Sequence, residues 1–357
     1  MPNPQYRAWL LDPPPGVIDT WAVIRITLLD AFSAPAAIGR IAALVIAWVE
    51  VVLAAAVMAI GLFFPWMKTI GILGLCYGLA SLGVALPARA GQVSFGHAMF
   101  ACVAAYTVAF TAKAFPQLDG VMLIVLSVSM ATLFAALLGL FMVRYRGIFF
   151  GMLNLAVSMV IVALLGKLYA LTGGSDGIRV DRPTIFGLVT ERSEFETILL
   201  GFTLLVSLGC GWFYQRFIHS ASGEALSGLK TNETRLEYLG LSAHKVLWVG
   251  YVISGFFLSL AGAVFALAQG LVTPDMGSWM RSGEFVFIMI LGGINHALGA
   301  FVGAGIFELV KLAASAYMAG VWQLLLGVTL LVVIVVAPEG IIGALEKRKS
   351  HKQGDPA

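Results

Sequence analysis

Charged side chains are scarce in this chain of 357 residues. Asp, Glu, Lys and Arg make up 11% of it and hydrophobic residues 60%, whereas an ordinary soluble domain is about a quarter charged. This shortage excludes a soluble globular domain and predicts an integral membrane protein. The net charge of +3 is small as well, so the composition gives no reason to expect a nucleic-acid partner.

Several features of enzymes and metal proteins are also missing. The sequence has no GxxxxGK[ST] phosphate-binding loop, so we do not expect the chain to hydrolyse ATP by itself. Its three cysteines, Cys76, Cys102 and Cys210, fall in apolar stretches, where cysteine usually packs as a small hydrophobe. Cys, His and carboxylate residues form no cluster at ligand spacing, so we expect no metal and no cofactor.

Apolar runs fill most of the chain. A transmembrane helix needs about 20 apolar residues, and these runs are too long, and alternate too little, for the strands of a membrane barrel. They lie at about 41–64, 66–86, 92–112, 120–143, 147–170, 197–214, 246–268, 285–311 and 316–337. We therefore predict an all-α polytopic membrane protein with about eight full transmembrane helices and one broken or re-entrant helix pair.

Glycine and polar residues interrupt the apolar pattern at two places. The stretch Gly292-Gly293-Ile294-Asn295-His296 divides the run 285–311, and we expect two half-helices that meet there at mid-membrane depth. Residues 87–97, PARAGQVSFGH, form a comparable interruption in the amino-terminal half.

Broken helices in both halves of a membrane protein point to a translocation pathway. Freed backbone groups are tolerated at that depth only inside protein or beside a water-filled cavity. The simpler interpretation is that the polar groups only join neighbouring helices through hydrogen bonds. The candidate pathway residues are Gln92, Ser94, Gly96, His97, Asn154, Gly292, Gly293 and Asn295.

A polar segment, GEALSGLKTNETRLEYLGL at 223–241, stands between two long apolar runs. Its leucines at 226, 229, 236 and 239 are spaced to form one apolar stripe, which predicts a helix lying along the cytoplasmic membrane face. Such a coupling helix can transmit a partner's motion to the spans it connects, although a solvated loop is the simpler alternative. The candidate coupling residues are Glu224, Ala225, Gly228, Lys230, Asn232, Glu233 and Arg235.

Two stretches on the other side of the membrane are candidates for docking a protein. The first is LTGGSDGIRVDR at 171–182 and the second is WMRSGE at 279–284. An exposed turn of no further role would explain the first stretch equally well. The candidate docking residues are Gly173, Gly174, Ser175, Asp176, Trp279 and Glu284.

The ends of the chain differ from the rest. We expect a cytoplasmic or interfacial extension at 1–40, a permease domain at 41–343 with its coupling loop at 216–245, and a basic cytoplasmic tail at 344–357. An excess of Lys and Arg marks the cytoplasmic side. Both termini fall on that side provided that 285–311 enters and leaves the membrane by one face.

The motifs at 91–106, 146–156, 171–178, 223–241, 252–267 and 272–293 run in one order across most of residues 68–343. In that order they resemble the M-type permease subunit of bacterial branched-chain amino acid ABC importers. The resemblance implies a multi-pass protein of the bacterial inner membrane with no ATPase activity of its own. The implied partners are a second, homologous permease, membrane lipid and two cytoplasmic ATPases. A periplasmic or extracellular binding protein would deliver an amino acid to them.

The resemblance also implies that Glu224, Ala225 and Gly228 dock into an ATPase groove. Leu226 departs from the family motif, which usually has a second alanine there. Three alternatives remain at this stage. They are a permease for urea or short amides, a stand-alone channel or secondary carrier, and an intramembrane enzyme using His97 and Ser94.

Overall fold

The computed structural model describes residues 58–59, 61, 63–184, 191–317, 322–336, 340–341 and 343. Within these residues the chain is almost entirely helical. The expected extension at 1–40, most of the first apolar run and the basic tail at 344–357 lie outside the described residues.

The main helices, in chain order, are α1 (Met67–Arg89), α2 (Ala98–Ala114), α3 (Gly120–Met142), α4 (Ile148–Lys167), α5 (Tyr169–Thr172), α6 (Arg192–Ile218), α7 (Ala221–Thr231), α8 (Glu233–Tyr238), α9 (Ala243–Gln269), α10 (Trp279–Gly292), α11 (Ala297–Tyr317) and α12 (Trp322–Val336). Two short strands, β1 (Ile178–Arg179) and β2 (Leu271–Val272), pair antiparallel. Single 3-10 turns occur at Gly174–Asp176 and Pro274–Gly277.

Six of these helices are long and apolar enough to cross a membrane: α1, α3, α4, α6, α9 and α11. The all-α polytopic prediction is therefore confirmed. The number is below the expected eight partly because α2 has only 17 residues. The predicted run 92–112 begins as non-helical chain, so α2 takes up only the later part of that crossing.

Helix α9 lies at the centre of the bundle and packs through small residues. A Cβ at Gly262 would overlap the backbone of Ala101 in α2, and one at Gly255 would overlap Ala135 in α3. In α1, a Cβ at Gly83 would come within 2.9 Å of the Ser254 carbonyl oxygen of α9. Small residues at such crossings let helix backbones approach closely inside a membrane.

The bundle has two ends, which we call the α7 face and the opposite face. The α7 face carries α7, α8, the α3–α4 connection and the end of α1. Arg146, in that connection, forms a 2.9 Å ion pair with Glu233 of α8, and Gly91 packs against the Lys230 side chain of α7. The opposite face carries the β1–β2 pair and the 3-10 turn at Gly174–Asp176, whereas the turn at Pro274–Gly277 reaches into the bundle and packs on Cys102 of α2.

Helices α10 and α11 form an antiparallel hairpin. A Cβ at Gly292 would overlap the carbonyl of Gly299, and one at Gly303 would come within 2.7 Å of the Ile288 oxygen. Gly293 makes the turn with a φ of 94°. The chain thus returns towards the face from which α10 starts, as the expected topology requires.

The predicted break at 292–296 is confirmed, but its expected depth is wrong. The Tyr214 hydroxyl, near the end of α6, donates to the Ile294 oxygen at 2.7 Å, and Arg89 at the end of α1 donates to Asn295. These contacts put the turn at the α7 face and not at mid-membrane. The glycines let α10 and α11 approach closely, and they do not divide one membrane-spanning helix into two half-helices. Helix α11, with 21 residues, is long enough to span by itself.

We predict that Gly292→Ala lowers the stability of the purified protein by about 1–3 kcal/mol, because the added methyl group must push α10 away from α11. Gly305→Ala in α11 is the control, since a Cβ there meets nothing within 4 Å. Thermal unfolding in detergent would measure both variants. Equal melting temperatures for the two would contradict the close approach of α10 and α11.

Candidate functional site

Residues 90–97 connect α1 to α2 without forming a helix. The segment starts at the α7 face, where Gly91 has a φ of 75°, and ends where the Ala98 amide donates to Ser282 of α10 at 3.0 Å. The crossing that ends in α2 therefore begins as extended chain inside the bundle. Such backbone is tolerated at membrane depth only when protein surrounds it.

Side chains and backbone of α4 surround this segment. Gln92 Oε1 accepts a hydrogen bond from the Gly147 amide at 2.6 Å, and the Ser94 hydroxyl accepts one from the Gly96 amide at 3.2 Å. At Gly96 a Cβ would overlap the carbonyl of Asn154. Five of the predicted pathway residues, Gln92, Ser94, Gly96, His97 and Asn154, are thus brought together.

Asn154 and His97 are fully buried in this region. Asn154 donates to the Phe150 oxygen at 2.8 Å and accepts from the Tyr251 hydroxyl at 2.6 Å. The His97 ring lies among Phe100, Phe150 and Tyr251, with ring centroids 5.2–6.3 Å apart. Neither of its nitrogens has a hydrogen-bond partner among the described residues, and within that part of the chain no hydrogen bond joins it to Ser94.

The other predicted pathway residues, Gly292, Gly293 and Asn295, form a separate group in the α10–α11 turn. Asn295 Oδ1 accepts from Arg89 Nη1 at 3.2 Å. Next to this turn, Gln215 of α6 accepts from the Ala297 amide at 3.2 Å. The predicted pathway residues therefore form two separate groups, one around residues 92–97 and one in the α10–α11 turn.

His219 follows α6 on the α7 face, next to the turn. Partial burial lowers its pKa, and the positive charge of Arg89 and the neighbouring His296 lower it further, whereas Glu224 acts in the opposite sense. The imidazole is therefore harder to protonate than one in water.

The polar segment forms two short helices rather than one. Asn232 separates them, because its side-chain oxygen accepts from the Arg235 amide at 3.0 Å and caps α8. Leu226 and Leu236 are buried, whereas Leu239 is 54% exposed. The expected single apolar stripe is therefore wrong at its carboxyl end.

Most candidate coupling residues lie on the surface of the α7 face. Glu224, Lys230, Asn232 and Arg235 are exposed, and Gly228 is half-buried. Glu233 binds Arg146 through two hydrogen bonds, of 3.1 and 2.9 Å. Ala225 is only 6% exposed, and its small side chain lets α7 approach the spans. Its contact with a partner stays a prediction.

The first predicted docking stretch lies on the opposite face and is joined to the chain that precedes the second stretch. Pairing of β1 with β2 places Ile178 opposite Val272 and so brings the loop of Ser175 and Asp176 to the chain that precedes Trp279. Gly173 and Gly174 turn that loop with φ values of 68° and 59°, and Trp279 is 50% exposed. Glu284 differs from the other docking candidates, because its carboxylate is buried and paired with Arg281.

A cluster of charged and polar side chains lies between α1, α10 and α11, and sequence reasoning missed it. Arg281 Nη1 binds Glu284 at 2.8 Å and donates to the Tyr77 hydroxyl. Lys311 Nζ donates to the same hydroxyl at 3.1 Å. The signal in the sequence was two opposite charges three residues apart in an apolar context, which we had interpreted as part of a docking patch.

Comparison with known proteins places these features in a family. A family model described as the permease component of a branched-chain amino acid transport system matches residues 66–335. The high-affinity branched-chain amino acid transport system permease protein LivM of Escherichia coli K12 is 24% identical over 326 residues, which are 84% of this chain and 76% of that protein. No solved structure matches the chain.

Two further relatives match shorter stretches. LivM of Salmonella typhimurium is 25% identical over 239 residues, covering 61% of this chain and 56% of that protein. The permease protein LivH of Escherichia coli K12 is 26% identical over 132 residues, covering 37% of this chain and 42% of that protein. Because the family match extends over most of the chain, this protein belongs to the family of branched-chain amino acid transport permeases.

Proposed function

We propose that this chain is a permease subunit of a binding-protein-dependent ABC importer for branched-chain or related amino acids. The observation that carries the proposal is the α7–α8 pair, which presents exposed polar side chains on one face of an otherwise apolar bundle. A subunit without a phosphate-binding loop needs a separate ATPase, and this surface is where we place its contact.

The packing of α7 supports a role in transmitting force. Gly223 lies so close to Phe217 that a Cβ would overlap its carbonyl, and Leu226 fills the space beside Gly250 of α9. Lys230 packs against Gly91, just after α1. A displacement of α7 therefore acts on the ends of α1, α6 and α9 together, because close-packed contacts transmit rigid-body motion.

In this proposal the α7 face is cytoplasmic and the opposite face receives the binding protein. Its proposed docking residues are the exposed Ser175, Asp176 and Trp279. Similarity to both LivM and LivH supports a pore formed with a second, homologous permease. The solute would pass near residues 92–97, where helical structure gives way to buried extended chain.

We predict that Glu224→Arg abolishes ATP-driven uptake of leucine in proteoliposomes and reduces co-purification of the ATPases. The reversed charge stands on the exposed side of α7, so the protein should still fold and insert. Glu194→Arg makes the same change at an exposed position on the opposite face and should leave ATPase co-purification intact. Normal uptake and normal ATPase binding by Glu224→Arg would refute the proposed coupling surface.

We also predict that exchanging the two residues of the Arg146–Glu233 pair restores the rate of uptake that reversing one charge lowers. Arg146→Glu leaves two carboxylates facing each other and should slow uptake several-fold, whereas Arg146→Glu/Glu233→Arg should recover much of the rate. A partly exposed pair contributes roughly 0.2–1 kcal/mol, so uptake is more informative than melting temperature. Strictly additive effects of the two substitutions would show that the pair does not link α8 to α4.

A further inference from the structure

The charged cluster between α1, α10 and α11 lies deep in the bundle. Tyr77 stands near the middle of the 23-residue helix α1, and around it are two cations, Arg281 and Lys311, and two carboxylates, Glu284 and Glu308. Ionised groups at membrane depth are costly and usually mark a pathway for solute or ions. The equal number of positive and negative charges suits a ligand that is itself electrically neutral.

A cavity opens beside this cluster. Its volume is about 20 Å³, which is room for about one water molecule. The Arg281 guanidinium is the one cationic group in its lining among the described residues, and it lies over the rings of Tyr77 and Phe265 at 5.8 and 5.9 Å. The remaining lining residues are small, aliphatic or aromatic: Cys76, Ala101, Ala261, Gly262, Met276 and Phe285.

Arg281 uses only part of its hydrogen-bonding capacity. Both of its side-chain hydrogen bonds, to Tyr77 and to Glu284, leave from Nη1. In the part of the chain that the structure describes, Nε and Nη2 donate to no protein group. These two atoms form the edge of a guanidinium that binds a carboxylate through two parallel hydrogen bonds.

Glu308 offers the complementary group. Its Oε1 is buried and accepts no hydrogen bond within the described ranges. The side chain lies against α1, where a Cβ at Gly74 would come within 3.9 Å of Glu308 Cγ. Gly74 and Tyr77 are three residues apart on one side of that helix, so Glu308 lies on the same side of α1 as the cavity-lining Tyr77. Glu308 is not itself one of the residues that line the cavity, and the solute would reach it only when the cavity widens.

We propose that this cavity is a transit site for the zwitterionic backbone of an aliphatic amino acid. The Nε–Nη2 edge of Arg281 binds the carboxylate, Glu308 accepts the ammonium group, and the apolar lining receives the side chain. The assignment rests on the proposed function and adds the contacts that recognise the solute inside the membrane. Transit also requires the cavity to widen from the compact form seen here.

The test is the ratio of leucine taken up to ATP hydrolysed by the complete transporter in proteoliposomes supplied with its binding protein. We expect Arg281→Lys and Glu308→Gln each to lower that ratio roughly tenfold, since each loses a charge-assisted hydrogen bond to the solute. ATP hydrolysis should stay close to normal. Arg192→Lys, in the exposed Arg192–Glu196 pair, is the matched control and should not change the ratio. An unchanged ratio in both cavity variants overturns the site.

A second measurement leaves the charged cluster intact, and so remains decisive if those variants fold poorly. In a Cys102→Ala/Cys210→Ala transporter, Cys76 is the thiol in the cavity lining. Millimolar L-leucine should slow its reaction with a small methanethiosulfonate reagent, whereas 3-methylbutylamine, which lacks the carboxylate, should not. No reaction at Cys76, or equal protection by the two compounds, contradicts the proposal. A wild-type transporter that takes up no aliphatic amino acid would instead defeat the proposed function itself.

Discussion

Polar groups within the hydrocarbon layer are costly unless they find partners inside the protein, and this constraint organises much of the structure. Water cannot satisfy them there, and each unpaired group costs free energy. The extended chain at 90–97 is possible because Gln92 binds the start of α4 and Gly96 packs on Asn154. The same requirement brings the Tyr77 hydroxyl against Arg281, Glu284 and Lys311.

Close approach of helix backbones is the second condition. The crossings of α9 with α1, α2 and α3 occur at glycines where a side chain would collide with the neighbouring helix. Tight crossings compensate for the lack of a hydrophobic driving force between helices in lipid. They also make the centre of the bundle close-packed, so that the motion we propose for α7 would reach α9 through Leu226 and Gly250.

The sequence predicted the parts of the fold that depend on local composition. Run length identified the spans, and glycine next to polar residues located both interruptions, at 87–97 and 292–296. Partners distant in the chain could not be read in this way. Tyr77 and Arg281 are 204 residues apart, so Glu284 was assigned to a surface when its charge in fact faces inward.

Local capping was the other signal that was missed. Asn232 starts a new helix because its side chain satisfies the Arg235 amide, and this divides what hydrophobic periodicity alone presents as one helix. The depth of the α10–α11 turn was misjudged for a related reason. A pair of glycines weakens a helix equally well at its middle or at its end, and only the contacts with Tyr214 and Arg89 distinguish the two.

Helix α4 differs from its neighbours in how it is held. Only 22% of its apolar window is buried. Gln92 and Glu233 bind Gly147 and Arg146, the two residues just before the helix, and the Ser158 hydroxyl anchors its middle to the Gly277 oxygen at 2.6 Å. The inner side of α4 is therefore fixed by backbone and polar contacts, while most of its apolar surface faces outward. That outer surface must be covered by lipid or by another apolar protein surface.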